Sequence, residues 1–209
     1  MTTAPLSTLD EPTSILVQLA AHIAGSAEPE VRGAFSAAVG RVPTEWVEEL
    51  IVQSYLFCGF PRALNAAREW RRASSELAPI TDEGDDLRRI AEWQTRGQVT
   101  CAAVYGSMYD KLRVNVRALH PALDAAMLVE GYGKILSRPG LDLPRRELCI
   151  VAACAVTGQE RQLHSHLHGA LNVGVSSAAL AAALDALESI LGTERTRSAR
   201  LLLARVAAG

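Results

Sequence analysis

Aromatic residues make up only 5% of the chain and charged residues 21%. The sequence has no closely spaced cysteine pair, no basic surplus and no apolar run of membrane length. Each absence removes a class of protein. The alternating β-branched and aromatic segments that build a sandwich or barrel are missing, which excludes an all-β fold. Lys and Arg number 21 against 23 Asp and Glu, a net charge of −2, so nothing offsets the phosphates of a nucleic acid or an anionic membrane surface. The longest strongly apolar run, residues 148–156, is about half of the ~20 residues that a spanning helix needs. The opening MTTAPLSTLDEPT has neither the basic start nor the apolar stretch of an export signal. Cys58, Cys101, Cys149 and Cys154 show no CxxC spacing, so they read as reduced thiols packed as small hydrophobes in a cytoplasmic protein.

What is present favours helices. Hydrophobic residues are 49% of 209, dominated by alanine and leucine, enough for one large domain or two small ones without disulfides or a structural metal. A polar leader occupies 1–12 and is expected to be flexible or laid over the surface. Helices are expected over 14–24 and 30–39, then from an N-cap at Thr44 to a break at Cys58-Gly59-Phe60-Pro61, followed by one carrying Ala63, Leu64, Ala67 and Trp70. The polar stretch 71–86 is the best linker candidate. Tyr105, Met108, Leu112, Val116 and Leu119 form the stripe of a half-buried helix, and another helix covers 122–136. Beyond the loop 137–144, helices are expected over 145–157, 160–172, 177–190 and 195–207.

The two halves repeat at an offset of 133 residues. Gly25 falls on Gly158, Ala37 on Ala170, and the turn Val42-Pro43-Thr44 on Val175-Ser176-Ser177. The resulting plan has a degenerate first repeat over 13–71, a linker and the start of connecting helices over 72–98, connecting helices over 99–143, and a second repeat over 144–209. The copies differ chemically: Glu147 and His166 of the second stand where the first has Ser14 and Gly33.

Glu147 is the one acid in an all-round apolar helix, and a buried carboxylate needs a partner. It lies 11 residues before Gly158 and His166 lies 8 after, roughly 16 Å and 12 Å of helix at ~1.5 Å per residue, so an antiparallel hairpin sets them nearly level. A Glu beside a His in a partly dry site is an acid–base couple. The alternative is a carboxylate that caps a backbone or pairs with Arg145 or Arg146. Lys134, Arg138, Arg145 and Arg146 bracket the preceding loop and suit an anionic, carboxylate-bearing substrate, or else are solvated surface charge. Glu160, His164 and His168 share a helix face at i, i+4 and i+8, a spacing that could offer metal ligands. One face supplies at most two good ligands and no HExxH is present, so His164 and His168 are read as hydrogen-bonding or solvent-facing and no metal is expected.

The segment Gly140-Leu141-Asp142-Leu143-Pro144-Arg145-Arg146-Glu147-Leu148, followed by Gln162-Leu163-His164-Ser165-His166-Leu167-His168-Gly169-Ala170-Leu171-Asn172-Val173-Gly174, resembles the carboxymuconolactone decarboxylase family, within the alkyl hydroperoxidase D-like superfamily. Tyr55-Leu56-Phe57-Cys58-Gly59-Phe60-Pro61-Arg62 is similar to a block that follows the catalytic hairpin in such proteins, although here it follows the first copy, and the segment after Leu184 has no equivalent. The resemblance implies an all-α fold assembled as trimers or hexamers with sites near subunit contacts, and the 133-residue offset adds two degenerate helical-hairpin copies to it. The superfamily's peroxidases use a glutamate, a CxxC pair and a histidine as a relay. Glu147 and His166 match the glutamate and histidine, whereas Gln159 and Gln162 stand at the cysteine positions, which speaks against thiol peroxidase chemistry. The reading that follows is a cysteine-free, decarboxylase-like branch working without a cofactor on a small organic acid or lactone. In it His166 donates the proton, Glu147 orients it, and Arg138 or Arg145, with His164 and His168, meets the substrate's anion. A non-catalytic helical oligomer and a peroxidase or metal-dependent relative are the competing readings.

Overall fold

A computed structural model describes residues 5–208. The chain divides into two compact units, Met1–Leu77 with Gly140–Gly209, and Ala78–Pro139. The leader expected to be flexible falls partly on residues 1–4, outside the described residues. Further on the leader is pinned: Leu6 N–H donates to Gly174 O at 3.0 Å and Ser176 N–H to Leu6 O at 3.0 Å.

The first unit begins with α1 (Glu11–Gly25), α2 (Glu28–Ala38) and α3 (Thr44–Ser74). Asp10 caps α1 by accepting from Thr13 N–H at 2.8 Å, which satisfies one of the free amides of a first turn. The expected Thr44 cap is corrected: Pro43 is the N-cap and Thr44 the first helical residue. The two helices expected between 44 and 70 are one kinked element. Gly59, at φ 82° and ψ 159°, turns the chain without ending the helix, and Pro61, just beyond it, cannot donate a helical hydrogen bond. The stretch that read as a linker from Arg71 starts later, because α3 continues through Ser74.

After Gly140 the same unit resumes with α7 (Leu143–Thr157), α8 (Glu160–Asn172), α9 (Ser177–Asp185), α10 (Glu188–Leu191) and α11 (Thr193–Ala208). The helix expected over 177–190 is thus two, separated at 186–187. α1 and α7 pack together at the centre of the unit, and Leu16, Ala21 and Ile23 of the one and Leu148, Ile150 and Ala152 of the other are all essentially buried. Their approach needs a glycine: a Cβ on Gly25 would lie 1.9 Å from Val156 Cγ1.

The second unit holds α4 (Ile90–Tyr105), α5 (Tyr109–Leu119), α6 (Pro121–Ala126) and a π-helical segment (Met127–Leu136). The single helix expected over 122–136 therefore changes its winding at Met127. Its glycines explain the tight crossing with α4: a Cβ on Gly133 would lie 1.9 Å from Trp93 O, and one on Gly97 would lie 2.0 Å from Leu128 O. The stripe expected to be half-buried is less covered than its period implied. No residue of α5 is buried, and Met108 and Leu119 are 50% and 78% exposed.

Candidate functional site

The hairpin of α7 and α8 turns at Gly158, whose φ of 70° is the left-handed conformation that glycine adopts without strain. Asp142 starts α7 by accepting from Arg145 N–H at 2.9 Å. Glu147 thus falls in the second turn, facing inward with no exposed surface. His166, midway along α8, is 5% exposed. Its Nδ1 and Glu147 Oε2 are 2.8 Å apart. With an ionised carboxylate accepting, Nδ1 is the protonated nitrogen, which leaves Nε2 for exchange. The edge of the pair is closed by Phe57 of α3, whose ring meets the imidazole at 5.6 Å and 86°. Glu147 Oε1 is buried with no hydrogen-bond partner among the described residues.

Arg146, the neighbour of Glu147, does not pair with it. The guanidinium is wholly buried and donates to Glu49 Oε2 at 2.7 Å, Gln53 Oε1 at 3.1 Å and Leu141 O at 3.0 Å. This network joins α7 to α3 one residue from the acid. It escaped the sequence reading because Glu49 lies 97 residues away; the available signal was Arg146 beside Glu147 at the mouth of an apolar helix. Cys154 and Cys149 sit in the same helix, and burial pushes both thiols up to about 12, which makes them poor nucleophiles.

The remaining expected residues have other partners or face outward. Arg145 is taken up by Asp142 and by Asp10 at 3.3 Å, donates to Thr13 Oγ1 at 2.9 Å, and lies 4.3 Å from the centre of the Trp46 ring. Arg138 belongs to the other unit, where it forms a two-pronged pair with Asp82 at 2.7 Å. His164 and His168 occupy the outer face of α8 with rings 4.8 Å apart; burial, then the neighbouring His164, lowers the pKa of His168. Among the described residues no three His, Cys, Asp or Glu side chains are grouped to hold a metal ion. No helix among them is long and apolar enough to cross a membrane.

Two cavities of about 660 Å³ open on this unit. One lies between α8 and α11, lined by His164, Ser165, Arg161 and Arg205 among others, and the second is lined by Ser14. Neither is lined by Glu147 or His166.

Comparison with known proteins bears on this same hairpin. Residues 122–205 match the Carboxymuconolactone decarboxylase family. The match contains α7, α8, Glu147 and His166, and it supports placing this part of the chain among carboxymuconolactone decarboxylase-like, all-α proteins. The label "cysteine-free" is corrected: the chain has four cysteines, and what it lacks is a pair at 159 and 162, where exposed glutamines stand. Peroxisomal protein 2 of Schizosaccharomyces pombe is 29% identical over 175 residues, covering 79% of this chain and 80% of that protein.

Proposed function

We propose that this carboxymuconolactone decarboxylase-like protein is a cofactor-free acid–base enzyme that removes carbon dioxide from, or moves a proton within, a small organic acid or lactone. The observation that supports it most is the half-satisfied carboxylate: Glu147 is fully buried, bonded to His166 through one oxygen and without a partner among the described residues at the other. A purely structural pair would be expected to satisfy both oxygens, because an unmade buried hydrogen bond costs about 1–3 kcal/mol. Glu147, accepting from Nδ1–H, holds His166 as an imidazolium whose second proton, on Nε2, is directed to the reacting carbon, and the ring is left as a neutral imidazole once that proton has gone. As the carbon–carboxylate bond breaks, its electron pair enters the conjugated system of the substrate, and the Nε2 proton is delivered to carbon. Solvent then restores that proton while Glu147 compensates the charge on the imidazolium.

The assay follows a lactone acid such as a carboxymuconolactone by proton NMR in deuterium oxide, reading carbon dioxide release and deuterium uptake together. Wild-type turnover should fall about 10²–10⁴-fold in Glu147→Gln and His166→Ala. Unchanged turnover in both would remove the pair from the mechanism.

A second reading is a non-catalytic interior staple, and the burial of both side chains away from either large cavity favours it. Under it, wild-type turnover is absent while the variants still lose stability. The remaining elements of the proposal are a cytoplasmic location, which suits four unpaired thiols, and a trimer or hexamer, which would cover exposed apolar residues such as Phe60 and Leu64. Sedimentation at the mass of one chain would refute the assembly.

A further inference from the structure

The repeat runs further in three dimensions than its sequence trace. Gly192, 133 residues after Gly59, has φ 79° and ψ 156° against 82° and 159°, so the kink inside α3 recurs at the entry to α11. Arg62 and Arg195 hold the same offset. Arg62 donates to Ile23 O at 3.2 Å and Ser26 O at 3.1 Å, at the end of α1; Arg195 donates to Ala155 O at 2.7 Å and Val156 O at 2.8 Å, at the end of α7. The second half of α3 is therefore the counterpart of α11, and the segment after Leu184 does have an equivalent within the chain.

This register pairs two grooves. In the first copy the groove beside α2 has a cavity of about 50 Å³ and is occupied by Glu69, whose side chain has no exposed surface. Arg32 at 2.6 Å and Arg72 at 2.6 Å hold that carboxylate, and the Arg32 hydrogen bond keeps it below its usual pKa. In the second copy Leu202 stands where Glu69 would be, and Arg205 where Arg72 is. Arg161 replaces Glu28 and Ser165 replaces Arg32, so the four positions lose two carboxylates and keep two cations. The groove has opened to about 660 Å³, lined by Arg161, Arg195 and Arg205 with Glu160 on its wall and Leu163 and Ala199 as apolar floor. Neither Arg161 nor Arg205 has an ion-pair partner among the described residues.

The first copy thus carries its own carboxylate in a place that the second leaves open and more positive. We propose that the groove between α8 and α11 binds a small organic carboxylate with an apolar body, its anion held by Arg161 and Arg205 and its body against Leu163, Ala199 and Leu202. Such a volume lies in the range of small-molecule pockets, and paired guanidinium contacts are the geometry that carboxylates favour. The site is separate from Glu147 and His166 and does not depend on their role.

Titration calorimetry on the full chain tests it, with benzoate and adipate as probes and inorganic phosphate as control. Wild type should bind a carboxylate probe with a Kd below about 10 mM. Arg161→Ala with Arg205→Ala, both exposed positions, should weaken it at least about tenfold. Leu202→Glu should abolish binding by supplying the missing carboxylate from within, and Glu147→Gln should leave the Kd unchanged. Absence of binding to wild type, equal affinity in the double arginine variant, or phosphate binding as tightly as benzoate would overturn the proposal. So would a fall in sedimentation mass in the arginine variant, which would assign the groove to subunit contact.

Discussion

Removing one member of the Glu147–His166 pair should cost more than removing both. His166→Ala leaves a carboxylate with no exposed surface, one oxygen already unpartnered and the other stripped of its 2.8 Å bond. Breaking a buried pair in this way costs about 3–5 kcal/mol. At roughly 2–4 °C per kcal/mol for a chain of this size, the midpoint of thermal unfolding should fall by roughly 6–20 °C. Glu147→Met with His166→Leu replaces both by apolar groups of similar volume; it removes the unsatisfied oxygen too, and should stay within about 1.5 kcal/mol of wild type. Urea unfolding followed by far-ultraviolet circular dichroism reads the difference, with an unchanged slope against urea showing that the unfolded chain is not what moved. A His166→Ala cost under about 1 kcal/mol, or a double variant as unstable as the two single changes added, would refute the reasoning. Either result would mean that Glu147 finds water or another partner.

Three further perturbations follow from the same structure. Ala at Gly59 or at Gly192 forces a side chain into a backbone region that is nearly glycine's alone, and each should cost about 1–3 kcal/mol by urea unfolding; a neutral result at both would show that the two kinks are not fixed. Native thiol titration at about pH 8 should label at most the half-buried Cys58, with all four thiols reacting after denaturation, because burial holds Cys149 and Cys154 near 12. Rapid native labelling of either would contradict their burial. Arg138 lowers the pKa of Asp82 from 3.8 to about 2, so this pair's contribution is present above pH 3.8 and lost as the pH falls through about 2. Asp82→Asn should flatten that acid limb by no more than about 1 kcal/mol, since Asp82 is 40% exposed and screened, and an unaltered limb would show the pair to be inert.

Much of the helical order was legible because glycine and proline punctuate it. Gly25 and Gly158 end helices at the expected places, and counting residues either side of Gly158 was enough to bring Glu147 level with His166. Local pattern failed where a tertiary contact overrode it. Gly59 reads as a stop, yet α3 passes through it in a glycine conformation of positive φ, and nothing in 122–136 announces that the winding changes at Met127, in the segment whose Gly133 meets Trp93. The cations failed for a different reason. Arg138 and Arg145 are near Glu147 in sequence, but each has a carboxylate partner within its own neighbourhood, Asp82 and Asp142, that takes its charge. Proximity along a chain says little about where a long, flexible side chain spends its charge.

The acid–histidine pair is supported from outside the hairpin that carries it. At the positions 133 residues earlier stand Ser14 and Gly33, which cannot form the couple that Glu147 and His166 form. α3 supplies Phe57 against the imidazole, and Glu49 and Gln53 to the buried guanidinium of Arg146, beside the acid. The counterparts of Glu49 and Gln53 at the same offset are Ala182 and Ala186, which can offer neither a charge nor a hydrogen bond. The hairpin of α7 and α8 thus carries the couple, and α3 supplies part of its support. Phe57→Ala should therefore perturb the imidazole of His166, read as a shift of its ring-proton NMR signals, although Phe57 lies 109 positions before it.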